Sequence, residues 1–213
     1  MKFEFQEKID EKQSKWQQIG HEVENIKDKL GKDIDENIKF SVISLKANNF
    51  GTTGSCEGHI DSAYPWPWID VESPLSENLL SNQRYRELGA KSRASRKGGD
   101  AMLKEDNQEL ESLIKKQKQE NGKEYQRLQG LLAEFYALQS KQNNDNLANS
   151  SKLGIIKGPW NQSRLQPLEV PDLRPQEAQG LWSDEEKEQK LILYRQEINR
   201  FSEFLKNKFF DKK

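Results

Sequence analysis

From Ser183 the chain reads SDEEKEQKLILYRQEINRFSEFLKNKFF, and this stretch limits the possible folds more than any other. Ser183 with Glu186 three residues on forms a capping box. Leu191, Tyr194, Ile198, Phe201 and Leu205 then follow in alternating steps of three and four, which line one face of a helix. A long helix with a single apolar stripe has to bury that stripe. Two such heptads fall short of the three or four that define a free-standing coiled coil, so the expected partners are other helices of the same chain.

The rest of the sequence supplies them. Residues 3–30 read as helix with a weak apolar stripe through Phe5, Ile9, Trp16, Ile19, Val23, Ile26 and Leu30, interrupted or bent near Gly20 and closed by Gly31, so one bent helix or two are expected. In KDIDENIKFSVISLKANNFG an aspartate start signal precedes Ile38, Val42 and Leu45 at helical spacing, with Asn48, Asn49 and Gly51 as stop signals. Residues 76–142 read as helix: a cap at Ser76 leading to Leu79 and Leu88, then helices over 100–121 and 123–142 that Asn121 and Gly122 divide into a hairpin. The polar stretch NNDNLANSSKLG reads as a loop.

Strand signals are fewer. GTTGSCEGHI and WPWIDVE are short, β-branched or aromatic and bounded by Gly and Pro, as expected of strands paired around a turn at DSAYP. Two strands rarely stand alone in water, and SRLQPLEV is the third candidate. The expected fold class is α+β: a small sheet of about three strands (51–57, 66–72, 164–170) packed on the 35–48 helix, with a long-helix bundle from the C-terminal half. The expected division is a small α/β unit over 1–75 plus 163–170 and a helical extension over 76–150 and 180–213.

Only 33% of the residues are apolar and 32% are charged, a balance that belongs to a small core carrying long solvated helices. The 34 basic residues are offset by 35 acidic ones, so no global field draws the molecule to nucleic acid or to an anionic membrane. The opening MKFEFQEKIDEKQSKW has no apolar core of a signal segment, and no run approaches the ~18 apolar residues of a membrane span. The expectation is a cytoplasmic protein without a membrane partner. Cys56, the only cysteine, fits a reducing compartment and is free to act as packed thiol, ligand or nucleophile.

GTTGSCEGHID concentrates chemistry: Cys56, Glu57, His59 and Asp61 follow Thr53 and Ser55, and Trp66, Trp68 and Asp70 come soon after. A thiolate needs a neighbouring cation or base, and His59 stands three residues from Cys56. In an extended strand these two point to opposite faces, so they meet only if Glu57-Gly58 makes a turn. The catalytic candidates are Cys56, Glu57, His59 and Asp70, with Glu57 or Asp70 as base or as orienter of the imidazole. Thr53, Ser55, Asp61, Trp66 and Trp68 are the ligand-binding candidates, the two tryptophans walling the site. A structural zinc site requires four ligands and a second C-x-x-C-like pair, which the chain lacks; of the metal readings an open three-ligand site fits better, and no metal ligands are assigned. No cofactor is read from the sequence, and the expected partner is an unidentified small molecule or protein.

TTGSCEGHI, preceded by GKDIDENIKFSVISL, resembles small bacterial and phage proteins that share an S-C-x-G-H loop after a short helix and carry no assigned activity. It is also similar to the opening of the wybutosine-synthesis tRNA methyltransferase family. That family's pattern, D-x-x-I, an apolar helix, then T-T-S-S-C-S-G-R, falls on Asp35, Ile38, Thr52, Thr53, Ser55, Cys56 and Gly58. His59 stands where the family has arginine and Glu57 where it has serine. The resemblance implies a shared α/β start and a role with RNA. A local patch suits that role: RYRELGAKSRASRKGG holds Arg84, Arg86, Lys91, Arg93, Arg96 and Lys97 against Glu87, and Arg93, Arg96 and Lys97 are the nucleic-acid candidates. Phosphate-loop, dinucleotide, nucleophile-elbow and zincin motifs are absent from the sequence. Three readings follow: a ligand-binding or catalytic loop at 55–59, a helical interaction protein without catalysis, and an RNA-binding protein.

Overall fold

The computed structural model describes residues 2–27, 31–61, 65–141, 151–158, 162–170 and 182–211. The centre of the expected turn at 62–64 and the expected loop at 142–150 lie outside them. In chain order the elements are α1 (Lys2–Glu24), α2 (Glu36–Ala47), β1 (Gly51–Cys56), β2 (Trp68–Glu72), α3 (Pro74–Ser81), α4 (Gln83–Arg96), α5 (Lys104–Lys141), β3 (Leu153–Lys157), β4 (Ser163–Pro167) and α6 (Asp184–Asp211). The fold is α+β, with an antiparallel sheet of four strands in the order β1-β2-β4-β3. No described helix is long and apolar enough to cross a membrane.

Alternation sorts the sheet into two faces. Ile69, Val71 and Leu165 point to the core, and Ile69 lies opposite Leu165 in the register. Trp68, Asp70 and Arg164 take the other face, with Asp70 opposite Arg164. Against the core face pack Ile38, Val42 and Leu45 of α2, Ile198, Phe201 and Leu205 of α6, and Leu128, Leu132 and Phe135 of α5, all in one apolar cluster. Each such side chain, fully withdrawn from water, contributes roughly 1.5–3 kcal/mol.

The α6 stripe is buried at each of Leu191, Tyr194, Ile198, Phe201 and Leu205, and the capping box forms: Ser183 N donates to Glu186 Oε2 at 2.8 Å and Glu186 N to Ser183 Oγ at 3.3 Å. α2 ends where Asn48 donates to the Leu205 carbonyl of α6 at 2.8 Å and Asn49 takes φ 62°. Arg127 of α5 donates to the Asn48 and Asn49 carbonyls at 2.7 and 2.9 Å, which serves the end of α2 as it hands the chain to β1.

Four local expectations change. Residues 2–24 form one helix that ends before Gly31. The helix after β2 is capped by Ser73, whose Oγ accepts from Ser76 N at 3.1 Å with Pro74 in the first turn, and it stops at Asn82, whose side chain caps α4. Asn121 and Gly122 do not break α5. Asn121 is buried, and its side-chain oxygen accepts from Ser73 N at 2.9 Å and Ser76 Oγ at 2.8 Å, so a residue read as a breaker is a tertiary cap for α3. Finally, Leu153–Lys157 is a fourth strand, paired along β4.

Candidate metal centre

β1 ends at Cys56, opposite Trp68, and the chain then turns sharply at Gly58, where φ is 78°. A side chain there is excluded twice over. The left-handed backbone disfavours it, and a Cβ would lie 2.7 Å from the Leu191 side chain and 2.7 Å from the Trp66 carbonyl carbon. This turn is the condition that the sequence set for Cys56 and His59 to face one another.

Two carboxylates hold the loop, in different ways. Glu57 Oε2 accepts from the backbone N–H of Asn37 at 2.9 Å, so it caps the first turn of α2 from outside that helix. Its Oε1 receives Arg195 Nη2 of α6 at 3.2 Å, and the same guanidinium donates to the Glu57 carbonyl at 2.9 Å and the Gly58 carbonyl at 2.8 Å. Asp35, the residue in the cap position of α2, makes no side-chain capping bond. Its Oδ2 instead accepts from Glu57 N at 3.2 Å and lies 3.4 Å from His59 Nε2.

The result is a convergence of three different donor types. One ligand atom each from Asp35, Cys56 and His59 lie within 4.8 Å of one another. The site is open to solvent on one side, with the Asp35 and His59 side chains 34% and 44% exposed, and Cys56 is half-buried. A tetrahedral zinc ion, with bonds of 2.0–2.3 Å, holds its ligands about 3.5 Å apart; Asp35 and His59 already stand at that spacing.

The same three groups could be read as nucleophile, base and orienter. Electrostatics separates the two chemistries. Burial pushes the Cys56 thiol above its ordinary range, the charges of Asp35 and Glu57 push it further, and only the Gly58 N–H, 3.4 Å from Sγ, opposes them. A nucleophilic cysteine needs the reverse shift. A divalent cation ionises a thiol that it coordinates, which offsets the upward shift.

Asp35 also lines a cleft of about 320 Å³, with Thr52, Thr53, Gly54 and Ser55 of β1, Trp68, Val42 and residues 26, 27 and 32–34. Trp68 lies across Gly54, where a Cβ would be 3.2 Å from its ring. A larger hollow of about 770 Å³ runs between α2, α5 and α6, past Phe40, Phe135, Phe204 and Arg200. No cysteine or histidine lines it among the described residues.

Of the residues singled out in the sequence, Cys56 and His59 meet, with Ser55 and Trp68 on the adjoining cleft. Glu57 is committed to capping α2 and to Arg195. Asp70 is taken up by Arg164, which donates to its two oxygens at 2.7 and 3.0 Å and stacks on Trp68 at 4.1 Å, and it is not one of the three clustered ligands. Trp66 is buried with Val170 and Tyr194 and meets Trp182 edge-on, away from the cleft wall. Thr53 lines the cleft but its hydroxyl donates to Glu72 at 2.9 Å, and Asp61 is exposed outside the cluster. In the basic patch, Arg84 and Lys91 both bind Asp106, and Arg96 donates to the Ser92 hydroxyl at 3.1 Å; Arg93 and Lys97 are exposed.

Sequence reasoning missed Asp35 and Arg195 as site residues. Asp35 was legible only as a helix start and in the D-x-x-I resemblance; Arg195 carried no local signal. Compared with protein-family models, curated proteins and solved structures, the chain matches none.

Proposed function

We propose that the protein binds a zinc-class divalent metal ion through Asp35, Cys56 and His59, in an open three-ligand site at the mouth of a ligand cleft. The observation that carries this reading is the convergence of a carboxylate, a thiol and an imidazole within 4.8 Å, on a loop that Arg195 and Glu57 hold in place. Thiolate and imidazole select borderline-soft cations over magnesium or calcium. Three protein ligands leave a fourth position for water or substrate, the arrangement of metal sites that do chemistry, where the ion acts as a Lewis acid. A reducing, cytoplasmic setting suits the site, because it keeps Cys56 available as a ligand.

Competition between the protein and a chromogenic chelator for zinc tests the reading. The wild type takes one ion per chain, and Cys56→Ala, His59→Ala and Asp35→Ala each weaken binding by about 100-fold or more, with unchanged helical circular dichroism. Stoichiometric binding that survives all three substitutions, or no binding by the wild type, contradicts the reading.

A further inference from the structure

The cleft beside the triad follows the outer edge of the sheet. β1 is an edge strand, and among the described residues no strand pairs with its outer side. Four consecutive β1 residues, 52–55, line the cleft, together with Val42 and Trp68. Val42 belongs to the apolar core against one face of the sheet, whereas Trp68 stands on the opposite face. A hollow that touches both and the strand between them straddles the strand edge.

The facing wall comes from residues 26, 27 and 32–35, and its own main chain is bridged internally, Lys27 to Asp33. Among the described residues no main-chain hydrogen bond joins this wall to the outer edge of β1. An edge strand presents N–H and C=O groups at the repeat of an extended backbone, which makes an extended chain the ligand that can answer them. Gly54 adds no side chain to that wall, and the Thr53 hydroxyl is turned away to Glu72 at the irregularity in register between Thr52 and Gly54. Asp35 lines the cleft and belongs to the triad, so an ion held there offers positive charge to a carbonyl or carboxylate oxygen at one end of such a chain.

We infer that the cleft binds the terminal segment of an extended peptide, which adds to the outer edge of β1 and presents an oxygen to the metal ion. The inference rests on the metal reading above. Its test uses the zinc-loaded full chain and three probes: acetohydroxamate, trialanine hydroxamate and the fully N-methylated trialanine hydroxamate. Isothermal titration should show trialanine hydroxamate binding about tenfold or more tighter than acetohydroxamate, the effect of two net main-chain hydrogen bonds, and N-methylation should erase the gain. If zinc binds but all three hydroxamates bind alike, the site takes small metal ligands only and the inference is overturned. It is equally overturned if the gain survives N-methylation, because contact with the alanine side chains then explains it. A chain that takes up no zinc contradicts the metal reading itself, a result separable from both.

Discussion

Two aspartates sit beside β1, and the fold treats them in opposite ways. Asp70 projects from the sheet face into a bidentate pair with Arg164, and the guanidinium is itself stacked on Trp68. Its charge is answered and each of its oxygens accepts a hydrogen bond. Asp35 gives up the helix cap that its position invites, because Glu57 supplies that cap from another element, and it turns its carboxylate to a half-buried thiol and an imidazole. A carboxylate near a cysteine and a histidine is informative only once its cation is accounted for. Asp70 has one. Asp35 faces an imidazole and a thiol, the groups with which it is proposed to bind a metal ion.

The largest effect concerns the turn that creates the contrast. Gly58→Ala forces a side chain into a left-handed backbone and against Leu191 and the main chain of residues 66–67, with an expected loss of about 3 kcal/mol in urea unfolding. A variant as stable as the wild type would show that the turn is not required. Asp35→Asn should weaken zinc binding about 10- to 100-fold, while Asp70→Asn leaves it within about twofold and costs stability on the order of 1 kcal/mol for a partly buried pair. Equal effects of the two substitutions on zinc would erase the distinction.

Arg195→Ala should loosen the loop and weaken zinc about tenfold without removing a ligand; an unchanged affinity would reduce the clamp to a fold contact. The last effect is on pH. The folded thiol is raised by burial and by neighbouring acids, and the metal binds thiolate, so protons compete with the ion throughout the range below that raised value. Affinity should climb with pH between 7 and 9, by about tenfold per unit with one proton released. A flat profile would mean that the thiol is not a ligand.

Where the sequence spoke through local physics, it spoke plainly. The Ser183–Glu186 box and the three-and-four spacing from Leu191 to Leu205 describe α6 as found, because capping and amphipathicity depend on neighbours along the chain. Asn121-Gly122 misleads for the same reason: the local signal is a break, but the Asn121 side chain is used by α3 across the fold and α5 runs on. β3 was hidden because five residues, LGIIK, between polar stretches carry little pattern until β4 lies beside them. At the site, C-x-x-H with a glycine between was readable, and so was its dependence on a turn. Asp35, 24 residues from His59, and Arg195, 138 residues from Glu57, are brought in by packing alone.

Cobalt(II) titration of the reduced protein decides whether Cys56 holds a metal ion, since a cobalt–thiolate bond gives an intense charge-transfer absorption that oxygen and nitrogen ligands cannot produce. The account predicts this band at one equivalent in the wild type and in Asp70→Asn, and its absence in Cys56→Ala. A wild-type protein that shows only the weak spectrum of hydrated cobalt, with its thiol still titratable in the presence of the metal, would contradict the account.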